Sequence, residues 1–389
     1  MRGVTLGSVL GIPIRLNVTF LLILPLFAWL ISGDVAALAG LMNDLFGTDL
    51  PGATLEAAPL RYALGTAGAV GLFAGVLLHE FGHSLVARRY GYQIESITLW
   101  LFGGVARLVE MPEDWRQELV IAVAGPVVSV ALGLGSYLVL LAVPPAFPAV
   151  QFVAAYLALT NVMLAVFNML PGFPMDGGRV LRAILARNRP YARATKQAAE
   201  VGKVFAFLLG ILGLFVNLFL VALAFFIYMG ASSEAQQTAM RAAFEDVVVA
   251  DVMTPRDRLD VVDEDLSVAA LLDRMVDERH TGYPVMRDGE LVGLVTLGDA
   301  RAVREVERDA YTVGDVMTDD LAWVAASDDV MHAISTMGEH GVGRLPVYDV
   351  AGNFAGFVTR TDVMTAFEIL QQRQPRDLPP GPASRFDSR

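Results

Sequence analysis

His79 and His83 enclose a glutamate in the run His79-Glu80-Phe81-Gly82-His83. On a helix this spacing puts both imidazoles one turn apart on the same face, where they can share one metal ion. Neutral imidazole is a good zinc ligand, and Glu80 between them is available as a general base toward a water whose pKa the ion lowers to about 7. The plain alternative is two incidental histidines on a helix. The motif, however, lies inside a long apolar run, where a lipid-facing acid costs at least about 2.5 kcal/mol. A catalytic zinc ion takes three protein ligands and keeps one open position. The chain has no cysteine, so the third ligand must be His, Asp or Glu. The best candidate is Asp176, in the segment from Asn168 through Pro171 and Pro174 to Gly177, Gly178 and Arg179. Two prolines and a glycine pair there break an apolar run, and irregular backbone at membrane depth is tolerated only where it is buried in protein or lines a water-filled cavity. Taken alone, Asp176 also reads as a turn acid that ends a helix.

The elements that must carry these residues are membrane helices. The 389-residue chain is 54% hydrophobic and only 18% charged, with a mean hydropathy of +0.51, too apolar for an ordinary soluble globule of this size. A net charge of -12 speaks against nucleic acid as a partner, because a basic face would be needed to neutralise phosphates and none is visible in the sequence. Apolar runs lie near residues 16–32, 66–88, 117–142, 150–170 and 197–230, and a spanning helix needs about 20 residues. The first run lacks a small-residue cleavage site and reads as a retained helix. Basic residues orient the runs: Arg88 and Arg89 end the second, and Arg179, Arg182, Arg187, Arg189, Arg193 and Lys196 follow the fourth, so those ends are cytoplasmic. If the tail is also inside, the last run must cross twice, with a break near Gly213 to Asn217, which makes about six spans. At about 1.5 Å per residue, His79 and His83 lie roughly 14 Å and 8 Å from Arg88, in the cytoplasmic half of the bilayer. The fourth span delivers Asp176 to that same side.

Between the second and third spans, Ile94 to Val109 is rich in β-branched and large apolar residues around Gly103 and Gly104. It reads as a hairpin at the cytoplasmic rim or dipping into the bilayer, with a short amphipathic connector as the alternative. After Ser232 the texture becomes polar, which predicts a membrane domain over 1–232 and a linker over 233–244. An internal repeat follows over 245–370, with copies at about 245–307 and 308–370. Met253-Thr254 matches Met317-Thr318, Tyr283-Pro284-Val285 matches Leu345-Pro346-Val347, and the stretch from Gly293 to Asp299 matches that from Gly356 to Asp362. Each copy reads as helix, strand, turn, strand and helix, with Asp288-Gly289 and Gly352-Asn353 as turns. His280, His332 and His340 lack ligand spacing and read as surface or packing residues. Residues 371–389 are rich in Pro, Arg and Asp, and read as a disordered tail.

The pair of motifs resembles the site-2 proteases, intramembrane zinc metalloproteases, over residues 1–232. His79, Glu80 and His83 match their zinc helix, while Asn168, Pro171, Asp176 and Gly177 match their second motif. Gly103-Gly104 and Gly125-Pro126 look like family features too. The resemblance implies one zinc ion per chain held by His79, His83 and Asp176, Glu80 as catalytic base, and Asn168 orienting substrate or stabilising the oxyanion. The repeat resembles a tandem cystathionine-β-synthase (CBS) pair, a module that often binds ATP, ADP or AMP. Thr296 with Asp299 and Thr359 with Asp362 match its ribose- and phosphate-contacting pattern, although Gly298 stands where a hydroxyl residue is common. The fold class expected is thus a polytopic α-helical membrane protein with a short β-hairpin or re-entrant element, plus a soluble α/β tandem CBS module. The expected function is hydrolysis of peptide bonds in or near transmembrane segments of membrane-spanning substrates, modulated by adenine nucleotide. The implied setting is the plasma membrane, multi-pass, with the N-terminus and CBS tail cytoplasmic and with homodimerisation through the pair. Two rivals remain at this point: a CBS-gated ion transporter or channel, and a noncatalytic binder of membrane substrates.

Overall fold

The computed structural model describes residues 3–100, 103–108, 112 and 114–373. Contacts divide the chain into two units, Met1–Thr238 and Ala239–Arg389.

The first unit opens with an antiparallel hairpin, β1 (Gly3–Val9) and β2 (Ile12–Asn17), which sequence patterning did not foresee. Leu10 and Gly11 take positive φ at its turn. The chain then enters α1 (Val18–Gly33), whose first turn is capped by Asn17 accepting from the Thr19 amide. The helices α2 (Val35–Phe46), the single turn α3 (Gly52–Leu55) and α4 (Leu60–Arg89) follow. Next come β3 (Ile94–Trp100) and β4 (Gly103–Leu108), then α5 (Trp115–Ala142), α6 (Pro148–Asn168), α7 (Asp176–Ala186), α8 (Tyr191–Val216) and α9 (Leu218–Ala243).

The segment Ile94 to Val109 is a hairpin over its described residues and joins the N-terminal one. The sheet runs β1-β2-β3-β4, with β2 parallel to β3 through Ile14 opposite Ile97. Its buried face, Ile12, Ile14 and Ile97, packs on Phe81 of α4, so the sheet is seated on the helix that carries the two histidines.

Among the described residues, five helices are long and apolar enough to cross a membrane: α4, α5, α6, α8 and α9. The last apolar run is indeed two helices, parted at Asn217, and Gly213 permits the tight turn because a Cβ there would lie 2.7 Å from the Val221 amide nitrogen. The first run is met by a bent pair of helices that together give the sixth candidate span. With 16 residues α1 is short of the roughly 20 that a span needs, and it qualifies only together with α2, from which it is bent by 72°. Side chains on the outer faces are bare hydrocarbon, with Phe215 84% and Leu218 77% exposed. A surface of this kind is stable in contact with lipid rather than water. Residues 233–243, expected in the linker, continue α9 as helix.

The second unit contains the two copies. The first comprises α10 (Val249–Val252), β5 (Thr254–Pro255), β6 (Val262–Asp263), α11 (Val268–Glu278), β7 (Gly282–Arg287), β8 (Glu290–Thr296) and α12 (Leu297–Ala302). The second comprises α13 (Val313–Val316), β9 (Val324–Ala325), α14 (Val330–His340), β10 (Arg344–Tyr348), β11 (Phe354–Thr359) and α15 (Arg360–Arg373). The sheets are β6-β7-β8 and β5-β11-β10-β9, so β5 of the first copy joins the sheet of the second. Leu294 bridges Thr318 in the reciprocal sense. Each Met-Thr segment therefore completes the other copy's sheet, and a Cβ on Gly356 would come within 2.3 Å of the Thr254 carbonyl oxygen. Of the expected disordered tail, residues 371–373 belong to α15, and 374–389 lie outside the described residues.

Candidate metal centre

The zinc-type motif sits on α4 with both histidines buried, and Asp176, also buried, is the first residue of α7. Three atoms converge. Asp176 Oδ2 lies 3.1 Å from His79 Nε2 and 3.1 Å from His83 Nε2, and the two Nε2 atoms are 3.2 Å apart. Ligands about 2.0–2.1 Å from a tetrahedral zinc ion lie about 3.3 Å from one another, so the triangle has the right edge length. The outer ring nitrogens are engaged as well: His83 Nδ1 donates to the Ile121 carbonyl at 2.7 Å, and His79 Nδ1 meets Ser129 Oγ at 2.8 Å. A carbonyl can only accept, so a neutral His83 carries its proton on Nδ1 and turns the lone pair of Nε2 toward the centre. Convergent lone pairs and a carboxylate, oriented by outer hydrogen bonds, are the donor set of a zinc site. The residues present fit the metal.

Ile121 and Ser129 belong to α5, which sequence reasoning did not connect to the site beyond noting Gly125-Pro126. Gly125 explains the connection. A Cβ there would lie 2.2 Å from His83 Nε2 and 2.7 Å from His79 Nε2, so only glycine lets α5 pass this close to the imidazoles.

The centre opens on a cavity of about 430 Å³ lined by, among others, Glu80, Trp100, Asn168, Met175 and Leu223. Glu80, half-buried, follows His79 on α4, and Gly104 of β4 packs directly on it: a Cβ at Gly104 would fall 2.4 Å from Glu80 Cγ. Asn168 ends α6 on the cavity wall, with its Nδ2 donating to Leu164 O at 3.1 Å. Arg182, read from sequence as a cytoplasmic loop charge, is instead one of the most buried side chains in the unit and is paired with Glu118 and Glu234. The basic residues beyond it, Arg187 to Lys196, still follow α7.

In the second unit the two Thr-x-x-Asp pairs close helix caps. Asp299 Oδ2 accepts from Thr296 N and Oγ1 at 2.8 and 2.6 Å, and Asp362 Oδ2 accepts from Thr359 N and Oγ1 at 2.9 and 2.8 Å. Of these four residues, Thr359 lines a second cavity of about 390 Å³, together with Arg258, Arg279, His280 and Arg344. His280 also groups with Asp260 and Glu278, all three exposed, and Glu278 is already engaged by Arg274 and Tyr283, whose hydrogen bonds hold its carboxyl below the usual range. His332 and His340 are engaged locally, by Asp328 and by the Thr336 carbonyl.

Comparison with known proteins identifies the family. The family model for peptidase family M50 matches residues 67–153 and 145–209, and the CBS domain model matches 249–305 and 313–369. A zinc metalloprotease of Methanocaldococcus jannaschii is 33% identical over 376 residues, which cover 96% of this chain and 98% of that one. The Mycobacterium tuberculosis relative Rip3, also assigned by name to the zinc metalloproteases, is 33% identical over 404 residues, covering 99% of this chain and 98% of its own. The solved site-2 protease of M. jannaschii is 34% identical over 60% of this chain and 95% of that one, with a TM-score of 0.41. The chain therefore belongs to peptidase family M50, the site-2 proteases, as a zinc metalloprotease that carries a tandem CBS pair.

Proposed function

We propose that this protease hydrolyses a peptide bond in or near the transmembrane segment of a membrane-bound protein. The reading is carried by one observation: three metal-binding atoms from α4 and α7, spaced 3.1–3.2 Å apart, meet beside a carboxylate within a bundle of apolar helices. His79, His83 and Asp176 would hold one zinc ion per chain, which when bound supplies Lewis acidity to the scissile carbonyl and the attacking water. Glu80 takes the proton from that water on its carboxylate and passes it to the leaving amide nitrogen. Asn168 turns its carboxamide from Leu164 to the substrate carbonyl, orienting it and stabilising the developing oxyanion.

A substrate helix has its carbonyls paired and must unwind before attack. The sheet supplies a receptor for the unwound strand: among the described residues β4 pairs only with β3, so its other edge is open to an added strand that would run past Glu80. Arg88 and Arg89 at the end of α4 and the basic residues from Arg187 to Lys196 that follow α7 support a centre facing the cytoplasm, in a multi-pass plasma-membrane protein with cytoplasmic N-terminus and tail. Three arginines and a histidine around Thr359 offer the charge that a nucleotide phosphate needs, supporting modulation by ATP, ADP or AMP, and the pair is also the surface for homodimerisation. Membership among zinc metalloproteases sets aside the transporter and noncatalytic readings. The test is metal analysis of the purified protein together with cleavage of a panel of single-span substrates. Wild type should carry zinc and cleave, and Glu80→Gln should carry zinc and not cleave. Ion flux without cleavage would overturn the proposal.

A further inference from the structure

One face of α5 lies against both histidines of the centre. Glu118, Ile121, Gly125 and Ser129 follow one another at steps of three, four and four residues, which keeps them on one side of the helix over about three turns. Ile121 takes His83, Gly125 lies against both imidazoles, and Ser129 takes His79. The remaining member, Glu118, takes no ligand directly. Its Oε1 accepts from Arg182 Nε at 2.7 Å and lies 2.5 Å from Arg182 Nη2. Arg182 stands on α7, six residues after Asp176 on the same rigid helix.

We infer that Arg182 is a positioning residue for the metal centre, holding α7 so that its first residue, Asp176, presents its carboxylate to the two histidines. The surroundings of Arg182 are built to fix it. Nη1 donates to Glu234 Oε1 of α9 at 2.5 Å, and the guanidinium carbon lies 5.1 Å from the centre of the Phe173 ring and 4.8 Å from that of Tyr191. The Arg182 side chain is 2% exposed and that of Glu118 is 4% exposed, and Glu118 Oε2 has no hydrogen-bond partner among the described residues. Two acids around one base, in a helix bundle, are poorly explained by stability, since well-packed apolar residues commonly serve as well or better. They are well explained by geometry: a guanidinium held by two carboxylates at fixed directions permits neither sliding nor rotation of α7. Any such movement would carry Asp176 Oδ2 away from the imidazoles.

This inference rests on the proposed zinc-dependent reading, and its test keeps the two apart. The full-length protein in detergent is titrated with zinc against a competing chelator, and the visible spectrum of its cobalt-substituted form is recorded. Arg182→Gln should weaken zinc binding by about 10- to 100-fold, the usual range for groups that orient metal ligands, and should alter the cobalt bands. Arg182→Lys, which keeps the charge between the two acids but not the fork geometry, should retain more of the affinity than Arg182→Gln, a graded response that a general packing role would not produce. Should Arg182→Gln fail to fold, Glu118→Gln and Glu234→Gln each remove one side of the clamp and should give smaller losses in the same direction. Wild-type zinc affinity and an unchanged cobalt spectrum in folded Arg182→Gln, or in both glutamine variants of the acids, would overturn the inference and leave the proposed function standing. A wild-type protein that binds neither metal would overturn the proposed function itself.

Discussion

Gly125→Ala adds one methyl group to α5 and should abolish metal binding without harming the fold. The new Cβ would stand 2.2 Å from His83 Nε2 and 2.7 Å from His79 Nε2, whereas carbon and nitrogen in contact need about 3.5 Å. One imidazole or the helix must therefore retreat by about 1 Å, and metal sites tolerate departures of only about 0.2 Å. Misplacement of reacting groups by about 1 Å costs on the order of 100-fold in rate. Both zinc affinity and cleavage should consequently fall by at least about 100-fold. The expected effect on the helix has the opposite sign, since alanine is favoured over glycine in a helix interior by roughly 0.5–1 kcal/mol. Gly135 supplies the control within α5, because a Cβ there meets nothing within 4 Å. Gly135→Ala should retain zinc and activity and be no less stable than wild type. The assay is zinc per chain after dialysis against a chelator, with cleavage of a single-span substrate and thermal unfolding of the same samples. A Gly125→Ala protein that keeps its zinc and cleaves within a few-fold of wild type would refute the placement of α5 against the ligands.

Gly104→Ala presses on Glu80 Cγ rather than on the ligands, so kcat should fall by about 10-fold or more with zinc content unchanged. Ser129→Ala removes the partner of His79 Nδ1, and a chelator competition should show zinc affinity lower by about 10- to 100-fold. In the second unit, hydrogen bonds hold two carboxyls below their ordinary value of 3.8, Asp315 through the Thr312 amide and hydroxyl and Asp349 through the Asn353 amide and side chain. Because these groups are more acidic folded than unfolded, their contribution is complete above the ordinary value and is lost as the pH falls through the lowered folded values. Denaturant midpoints of that unit in the full-length protein should drop over that acid range, and the drop should be smaller in Asp315→Asn.

The parts legible from sequence were those governed by short-range periodicity or by solvent. His79 and His83 declare themselves because a helical turn brings them together, and an acid after two prolines at membrane depth leaves few uses for Asp176. The division of the last apolar run into two helices followed from length and charge, and the repeat revealed the CBS pair. What stayed hidden depends on contacts between elements distant in sequence. The strand Ile12–Asn17 carries no alternation distinguishable from the start of a span, and it becomes a strand by pairing with β3 some 80 residues away. The run 16–32 looked sufficient for a span, yet the chain turns by 72° at Asp34. Arg182 counted as a topogenic charge because nothing local shows that Glu118 and Glu234 will meet it. Ser129 and Ile121 carry no motif at all, and their role exists only because Gly125 lets α5 approach.

Zinc-edge X-ray absorption on the purified full-length protein tests the centre most directly. One zinc ion per chain, with the outer-shell scattering of two imidazoles and inner ligands at about 2.0–2.1 Å, reduced to one imidazole in His83→Ala, is the predicted result. Absence of zinc, or a zinc shell whose imidazole count is unchanged by His83→Ala, would contradict the assignment of His79, His83 and Asp176 to a single ion.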